Sequence, residues 1–375
     1  MKFVFWQNVI SIHQSAFLSS LSVEREVTLV VEKDMDEDRK SSGWNIPDMG
    51  NVAIIVSPDK KVISTILQEN KDAIHVFSGI DAFPMVFFAL KKSIALGLKI
   101  IVYLEPYYWL GFKGYFRRLK YRLLNIRYGK YIDAWLITGD VGKTIYLKSG
   151  FSSCKMFDWG YFTEIYDSTV NVEIRESTGL PRLLFVGNID KRKNILTLVD
   201  VCKSIKNSFS HFHIVGDGSL AGVLEDKIKY EKNISYLGVK QNKDVQALMQ
   251  SCDIFVLPSL LDGWGAVVNE ALQNGMRVLA SKNCGSSVLL DGIYRGESFY
   301  LDADNTDLKH ILLKWLKKGR HSNEERECIR QWCMDRISGN AVSRYFVDFC
   351  HFLYNSGNKP NTPWKETDNK NDIIV

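Results

Sequence analysis

Short apolar runs recur along the chain and alternate with stretches of helical, amphipathic period. In the first half the runs lie around Val4 and at 27–31, 52–56, 74–77, 100–104 and 135–138, with amphipathic stretches such as 82–96 and 141–148 between them. Runs this short, without polar alternation, suit strands buried on both faces. Their alternation with helices predicts a parallel sheet joined by right-handed crossovers. A second series starts at Arg182: LLFV, a helix from Ile195, HFHIV, a helix from Leu220, ISYLG, a helix from Asp244, then DIFVL. Two α/β units follow, expected at 1–165 and 166–338. The polar span 163–179 is the expected linker, and 34–50, rich in charge with Ser, Gly and Pro, a solvated loop. Helical patterns continue after Leu301 to about Tyr354. The polar tail 356–375 is expected to be disordered.

Composition narrows the class. A chain of 375 residues is long for one domain, and 46% hydrophobic residues are ample for two cores. No run approaches the roughly 18 apolar residues of a membrane span. The N-terminal MKFVFWQNVISIHQ reads as a first strand rather than a signal peptide. Seven scattered cysteines, with no C-x-x-C pair, argue for reduced thiols in the cytoplasm and show no zinc site. The net charge of +5 is mild, but it is unevenly spread: 112–131 holds seven Lys and Arg and no acid, interleaved with Tyr115, Phe116, Tyr121, Leu123, Leu124 and Tyr128. A basic, aromatic-rich helix of this kind suits an anionic membrane surface. The bland alternative is a surface helix whose aromatics pack on the sheet. A nucleic-acid patch would be expected to come with a nucleic-acid module, and none is present.

The densest chemistry lies at 258–281, PSLLDGWGAVVNEALQNGMRVLAS. DIFVL before it is a buried-strand run, a glycine-rich loop follows, and a helix is predicted over 266–274, stopped by Gly275 at the left-handed cap position. Backbone N–H groups of Gly263, Trp264, Gly265, Ala266 and Val267 open that helix, a favourable place for a phosphate. Asp262 on the loop and Glu270 in the helix are carboxylates beside it, suited to accepting hydrogen bonds from sugar diols. A basic loop, GNIDKRKN at 187–194, also follows a strand. It brings Lys191, Arg192 and Lys193 to a strand C-terminus, where open α/β sheets bind ligands. Cations there would stabilise charge growing on a departing diphosphate. Gly216, Gly218 and Gly222 resemble a variant dinucleotide fingerprint, but ISYLG lacks the acid expected at the end of the next strand, which argues against an oxidoreductase.

Asp262 and Glu270 have the spacing of the Glu, seven residues, Glu motif. The chain thereby resembles the retaining glycosyltransferases of the large family numbered four, from about Arg182 to Leu301 with specific motifs and more weakly before. The resemblance implies the GT-B fold: two Rossmann-like domains facing across a cleft, acceptor-binding at 1–165 and donor-binding at 166–338, with a C-terminal helix at 339–355 crossing back to the first domain. It implies that Glu270 serves the ribose hydroxyls and Asp262, one methylene shorter than the usual Glu, those of the transferred sugar. Lys193 matches the diphosphate-clamping Lys. Asn188, after Gly187, stands where the family has Arg, so Lys191 or Arg192 must supply the second charge. Gly216 and Asp217 would lie near the nucleotide, Val239 and Lys240 near its base, and 283–287 (NCGSS) beside the sugar. In the first domain His13, Asp81 and Tyr107 are acceptor candidates and Trp159, Gly160 and Tyr161 could line the cleft. Glu105 stands near the usual catalytic His, where a carboxylate could stabilise an oxocarbenium-like transition state or take the acceptor's proton.

The expected function is transfer of a sugar, with retention and without metal or other cofactor, from a nucleotide-sugar to a lipid-linked glycan. The expected setting is bacterial surface polysaccharide assembly (O-antigen, capsule or exopolysaccharide), at the cytoplasmic face of the inner membrane. A sugar-nucleotide epimerase of the same fold and a catalytically inactive nucleotide-binding module are the alternatives.

Overall fold

The computed structural model describes residues 1–34, 46–165, 179–290 and 292–365. The chain divides into two units, Met1–Thr138 with Gly142–Glu164 and Met334–Val375, and Ile165–Cys333 with Gly139–Val141. The expected loop at 34–50 and linker at 163–179 fall largely outside the described residues.

The first unit is built on seven strands: β1 (Lys2–Gln7), β2 (Glu26–Val31), β3 (Ala53–Val56), β4 (Ile74–Ser78), β5 (Lys99–Leu104), β6 (Ala134–Thr138) and β7 (Met156–Trp159). They form one sheet in the order β3-β2-β1-β4-β5-β6-β7, every pair parallel. The order reverses at β1, so the loops after β1 and β4 flank a topological switch point, where ligands of doubly wound sheets bind. The central strands are buried on both faces, as the unbroken FVFW and IHVF runs require. His75 is a fully buried polar side chain within the IHVF run. His75 accepts from Trp6 Nε1 (3.2 Å) and faces the Asn70 carbonyl (3.0 Å), and burial lowers its pKa to about 4.

The helix Gly339–Asn355 belongs to this unit. Phe346 packs against Phe3, Phe17 and Trp159, with ring centroids 5.2–5.6 Å apart, and the Tyr354 hydroxyl donates to Asp133 Oδ2 (2.9 Å). The helix starts on Ser338, whose hydroxyl caps Ala341 N (3.2 Å). Beyond it, 356–365 contradicts the expected disorder. Trp364 is only 2% exposed, packed on Phe162 and Tyr345, while Thr362 and Lys365 both bind the Asp158 carboxylate (3.0 Å each). One large aromatic outweighs the polar average that suggested disorder. The rest of the tail, 366–375, lies outside the described residues. Trp364→Ala should cost about 3 kcal/mol. A first-unit melting temperature unchanged in that variant would show that the strap contributes nothing.

The second unit carries β8 (Arg182–Val186), β9 (His211–Val215), β10 (Ile234–Tyr236), β11 (Ile254–Leu257), β12 (Arg277–Ser281) and β13 (Gly296–Phe299). Their order is β10-β9-β8-β11-β12-β13, again all parallel, with the switch point between β8 and β11. The helix after β11 spans Val267–Gln273, and Gly275 follows at φ +71°, the cap expected from sequence. Pattern reading missed β7 and β13: β7 is short, and β13 (GESF) holds only one large apolar residue.

Candidate functional site

Loops leaving the C-terminal ends of β8, β9, β10, β11 and β12 meet at one edge of the second sheet. The loop 187–194 is anchored by Ile189, which is fully buried and donates its N–H to the Asp217 carbonyl (2.8 Å). Gly216, at φ +134°, crosses Gly187 so closely that a Cβ there would lie 1.9 Å from the Gly187 oxygen. Glycine is required at 216. Asp190 Oδ1 accepts from Lys193 N (2.8 Å), folding the basic turn back on itself. Leu260 N donates to the Arg192 carbonyl (2.8 Å) and ties this loop to the one after β11. Asp262 is bracketed in turn, its N–H donating to Asn283 O and its carbonyl accepting from Gly285 N, both at 3.2 Å.

These ties bring the charged side chains together. Lys193 Nζ lies 2.5 Å from Asp262 Oδ2, and Arg192 Nη1 lies 3.6 Å from the same oxygen. Lys193 is 8% exposed and Asp262 9%, whereas Arg192 is exposed. Glu270 is half-buried one helical turn further on. Among the described residues its carboxylate has neither a hydrogen-bond nor an ion-pair partner, and desolvation pushes its pKa up to about 7. An acid held in this way gains most from hydroxyl donors.

The remaining candidates have distinct placements. Gly187, Asn188 and Asp217 line the same edge, with Asn188 exposed and Asp217 Oδ1 accepting from Gly218 N (2.7 Å). Val239 and Lys240 are exposed on the turn after β10, which Gly216 N joins through the Gly238 carbonyl (2.9 Å). Gly263, Gly265, Ala266 and Val267 form the loop and helix start. The Trp264 side chain is core: it is buried and donates Nε1–H to Asn269 Oδ1 (2.8 Å), leaving only its backbone at the site. Sequence reasoning missed Ser286. Its hydroxyl is buried without a partner among the described residues and would lie 3.2 Å from a Cβ placed on Gly265. The only signal was its place in NCGSS.

In the first unit, His13 follows β1, stacks on Tyr161 (centroids 5.1 Å apart) and accepts from Phe162 N through its carbonyl (2.9 Å). Asp81 follows β4 and pairs with Lys120 (2.9 Å). Glu105 is exposed at the end of β5, and its carbonyl accepts from the Tyr146 hydroxyl (2.7 Å). Tyr107 and Trp159 are core residues. Tyr107 shares a hydrogen bond with Ser149 Oγ (2.7 Å) and stacks on Tyr121 (4.7 Å); Trp159 lies among Phe17, Phe162 and Phe346.

The basic stretch forms the helix Gly111–Tyr128, followed by a 3-10 turn, Gly129–Tyr131. Its aromatics divide between two faces. Tyr121 packs on Tyr107 and Tyr146, and Tyr128 on Phe87. Phe112 (86% exposed), Tyr115, Phe116, Leu119, Leu123 and Ile126 point outward. Their spacing of three and four residues makes one apolar stripe. Lys113, Arg118, Arg122 and Arg127 are exposed beside it.

Residues 170–332 match the model of the family described as glycosyl transferases group 1. Over this segment the chain is similar to that family. An uncharacterized 41.2 kDa protein of the cps region in Klebsiella pneumoniae is 37% identical over 170 residues, 44% of each chain. A galactosyltransferase of Escherichia coli, named for transfer from UDP-Gal to alpha-D-GlcNAc-diphosphoundecaprenol, is 30% identical over 139 residues, 34% of this chain and 35% of its own. These matches span less than half the length of the curated relatives. Among solved structures, Anabaena HepE in complex with UDP aligns over 94% of this chain and 100% of its own, with a TM-score of 0.69 and 13% identity. That likeness is one of fold. This chain has two parallel-sheet α/β units, the fold class expected from its sequence.

Proposed function

We propose that the protein is a retaining glycosyltransferase that moves a sugar from a nucleotide-sugar donor to a lipid-linked glycan in bacterial surface polysaccharide synthesis, working at the cytoplasmic face of the membrane. One observation carries the reading: Lys193 and Arg192 converge beside Asp262 at the sheet edge that also holds Glu270, whose carboxylate has no partner among the described residues. Two cations suit a diphosphate, and two carboxylates suit hydroxyls. In this reading Lys193 and Arg192 stabilise the charge that develops on the departing diphosphate. Arg192 replaces the charge missing at Asn188. Glu270 holds the ribose, Asp262 and Ser286 the transferred sugar, and Glu105 receives the acceptor's proton. A uridine diphosphate sugar is the first donor to try, because the E. coli relative is named for UDP-Gal and HepE holds UDP.

The exposed stripe on Gly111–Tyr128 favours a transferase over an epimerase, because a water-soluble nucleotide-sugar needs no lipid-facing helix. No helix among the described residues is long and apolar enough to cross a membrane. We assign this helix to the surface of an anionic leaflet, where the acceptor's lipid is held.

A thermal-shift screen of nucleotide-sugars and free nucleotides, with Glu270→Ala as control, tests the donor site. A ligand at 100 times its Kd adds roughly 2.7 kcal/mol of stability. No shift with any nucleotide at millimolar concentration would remove the reading. Affinity should also depend on pH. Binding hydroxyls favours the ionised Glu270, which is half protonated in the free protein at about pH 7. Affinity is therefore expected to fall roughly fivefold to tenfold from pH 8 to pH 6, and Glu270→Gln should bind more weakly with a flat profile. An equally steep profile in that variant would assign the titration elsewhere. Because Lys193 and Arg192 supply the positive charge, turnover should be unchanged by EDTA. A fall of tenfold or more, restored by magnesium or manganese, would contradict this assignment.

A further inference from the structure

Asp262 occupies an unexpected position for a residue that should meet a sugar, because its carboxylate is already engaged by the two cations a diphosphate would need. Lys193 Nζ and Arg192 Nη1 approach one oxygen, Oδ2, at 2.5 and 3.6 Å. We propose that Asp262 masks the diphosphate site: it holds both cations in the free protein, gives them up to an incoming diphosphate, and so discriminates against ligands that bring no hydroxyl in exchange. The inference rests on the donor-site reading above and deepens it.

The geometry supports such an exchange. Asp262 is fixed at its backbone on both sides, through Asn283 O and Gly285 N, and bridges to Cys284. Lys193 reaches it from another loop on a long, flexible stem. When an anion enters, the ammonium can turn toward it, whereas the carboxylate cannot retreat. Arg192 is exposed and holds its place through a long contact with the Leu261 carbonyl (3.4 Å), so it too can swing. A bare diphosphate would then leave Asp262 nearly buried, beside new negative charge and short of partners. A group left in that state weakens binding. A nucleotide-sugar relieves the defect, because hydroxyls of its sugar can donate to the carboxylate as the cations leave. Discrimination arises from what the wrong ligand fails to supply, and the same term would speed release of the sugar-free product.

Inorganic pyrophosphate is the direct probe, since it carries the charge and no hydroxyl. By calorimetric titration at fixed ionic strength, Asp262→Asn should bind pyrophosphate and UDP at least tenfold more tightly than wild type. Asp262→Glu, which restores the charge, should return toward the wild-type affinity. Equal or weaker binding by Asp262→Asn, with wild type still binding a nucleoside diphosphate, would overturn masking and leave the donor site standing. If neither protein bound pyrophosphate or any nucleoside diphosphate, both readings would fall. Should Asp262→Asn not fold, wild-type protein labelled with 15N-lysine answers instead. The Lys193 ammonium resonance, assigned by its loss in Lys193→Gln, should move on saturation with pyrophosphate. A signal that stays put would overturn the exchange.

Discussion

Lys193→Met should lower kcat/KM by about a thousandfold while leaving a folded protein, the largest effect expected of any single substitution in the second unit. Two terms add. The ammonium that would meet the growing charge of the leaving diphosphate is gone, and such a preorganised group in a shielded site contributes about 3–4 kcal/mol to the transition state. Asp262 is also left with only the 3.6 Å contact to Arg192. Removing one partner of a buried pair is costlier than removing both. Lys193→Met with Asp262→Asn should therefore be more stable than Lys193→Met alone, yet equally inactive. Arg192→Gln tests the other cation. It is exposed, so its loss should leave stability unchanged and lower kcat/KM roughly tenfold. Steady-state rates with donor and acceptor analogues, beside melting curves, separate the terms. If Lys193→Met kept more than a tenth of wild-type activity, Lys193 would not be the diphosphate clamp.

The pair that carries this expectation was only half legible in the sequence. Each residue stood out locally: Lys193 in a basic turn after a buried strand, and Asp262 in a glycine loop before a helix. Their meeting could not be read, because 69 positions separate them and the ties that align the two loops are backbone bonds such as Leu260 N to Arg192 O. The strand–loop–helix at 254–275 was legible because apolar run, helix period and glycine stop all agree there. Where side chains divide between core and surface, pattern failed. Tyr107 and Trp264 look like ligand contacts in a one-dimensional reading, yet both are claimed by partners from other elements, Ser149 for one and Asn269 for the other. Trp364 failed in the opposite sense, as a single aromatic in a polar tail whose burial against Phe162 and Tyr345 no local average reveals. For the basic helix the sequence left two arrangements open, and the structure has features of each: Tyr121 and Tyr128 pack inward while Phe112, Phe116, Leu123 and Ile126 are exposed.

The exposed stripe and its proposed membrane role give the second large effect. Replacing Phe112, Phe116, Leu123 and Ile126 together by serine should lower partitioning onto vesicles rich in anionic lipid by at least a hundredfold. All four side chains are mostly exposed, so the melting temperature should change little. Each such side chain transferred from water into the interface gains on the order of 1–2 kcal/mol; four would exceed the hundredfold change, which needs about 2.7 kcal/mol. Neutralising Lys113, Arg118, Arg122 and Arg127 with glutamine should act differently, since each contributes about 1 kcal/mol, and only on an anionic surface. This set should erase the preference for anionic over zwitterionic vesicles and leave the residual apolar binding intact. Lys120 is left alone because it pairs with Asp81. Transfer to a water-soluble acceptor analogue should survive both sets, while transfer to an acceptor embedded in vesicles should fall with vesicle binding. If the serine variant still bound vesicles like wild type, the stripe would have some other occupant. If binding were lost without any effect on the embedded acceptor, the helix would attach the protein to the membrane and play no part in presenting the substrate.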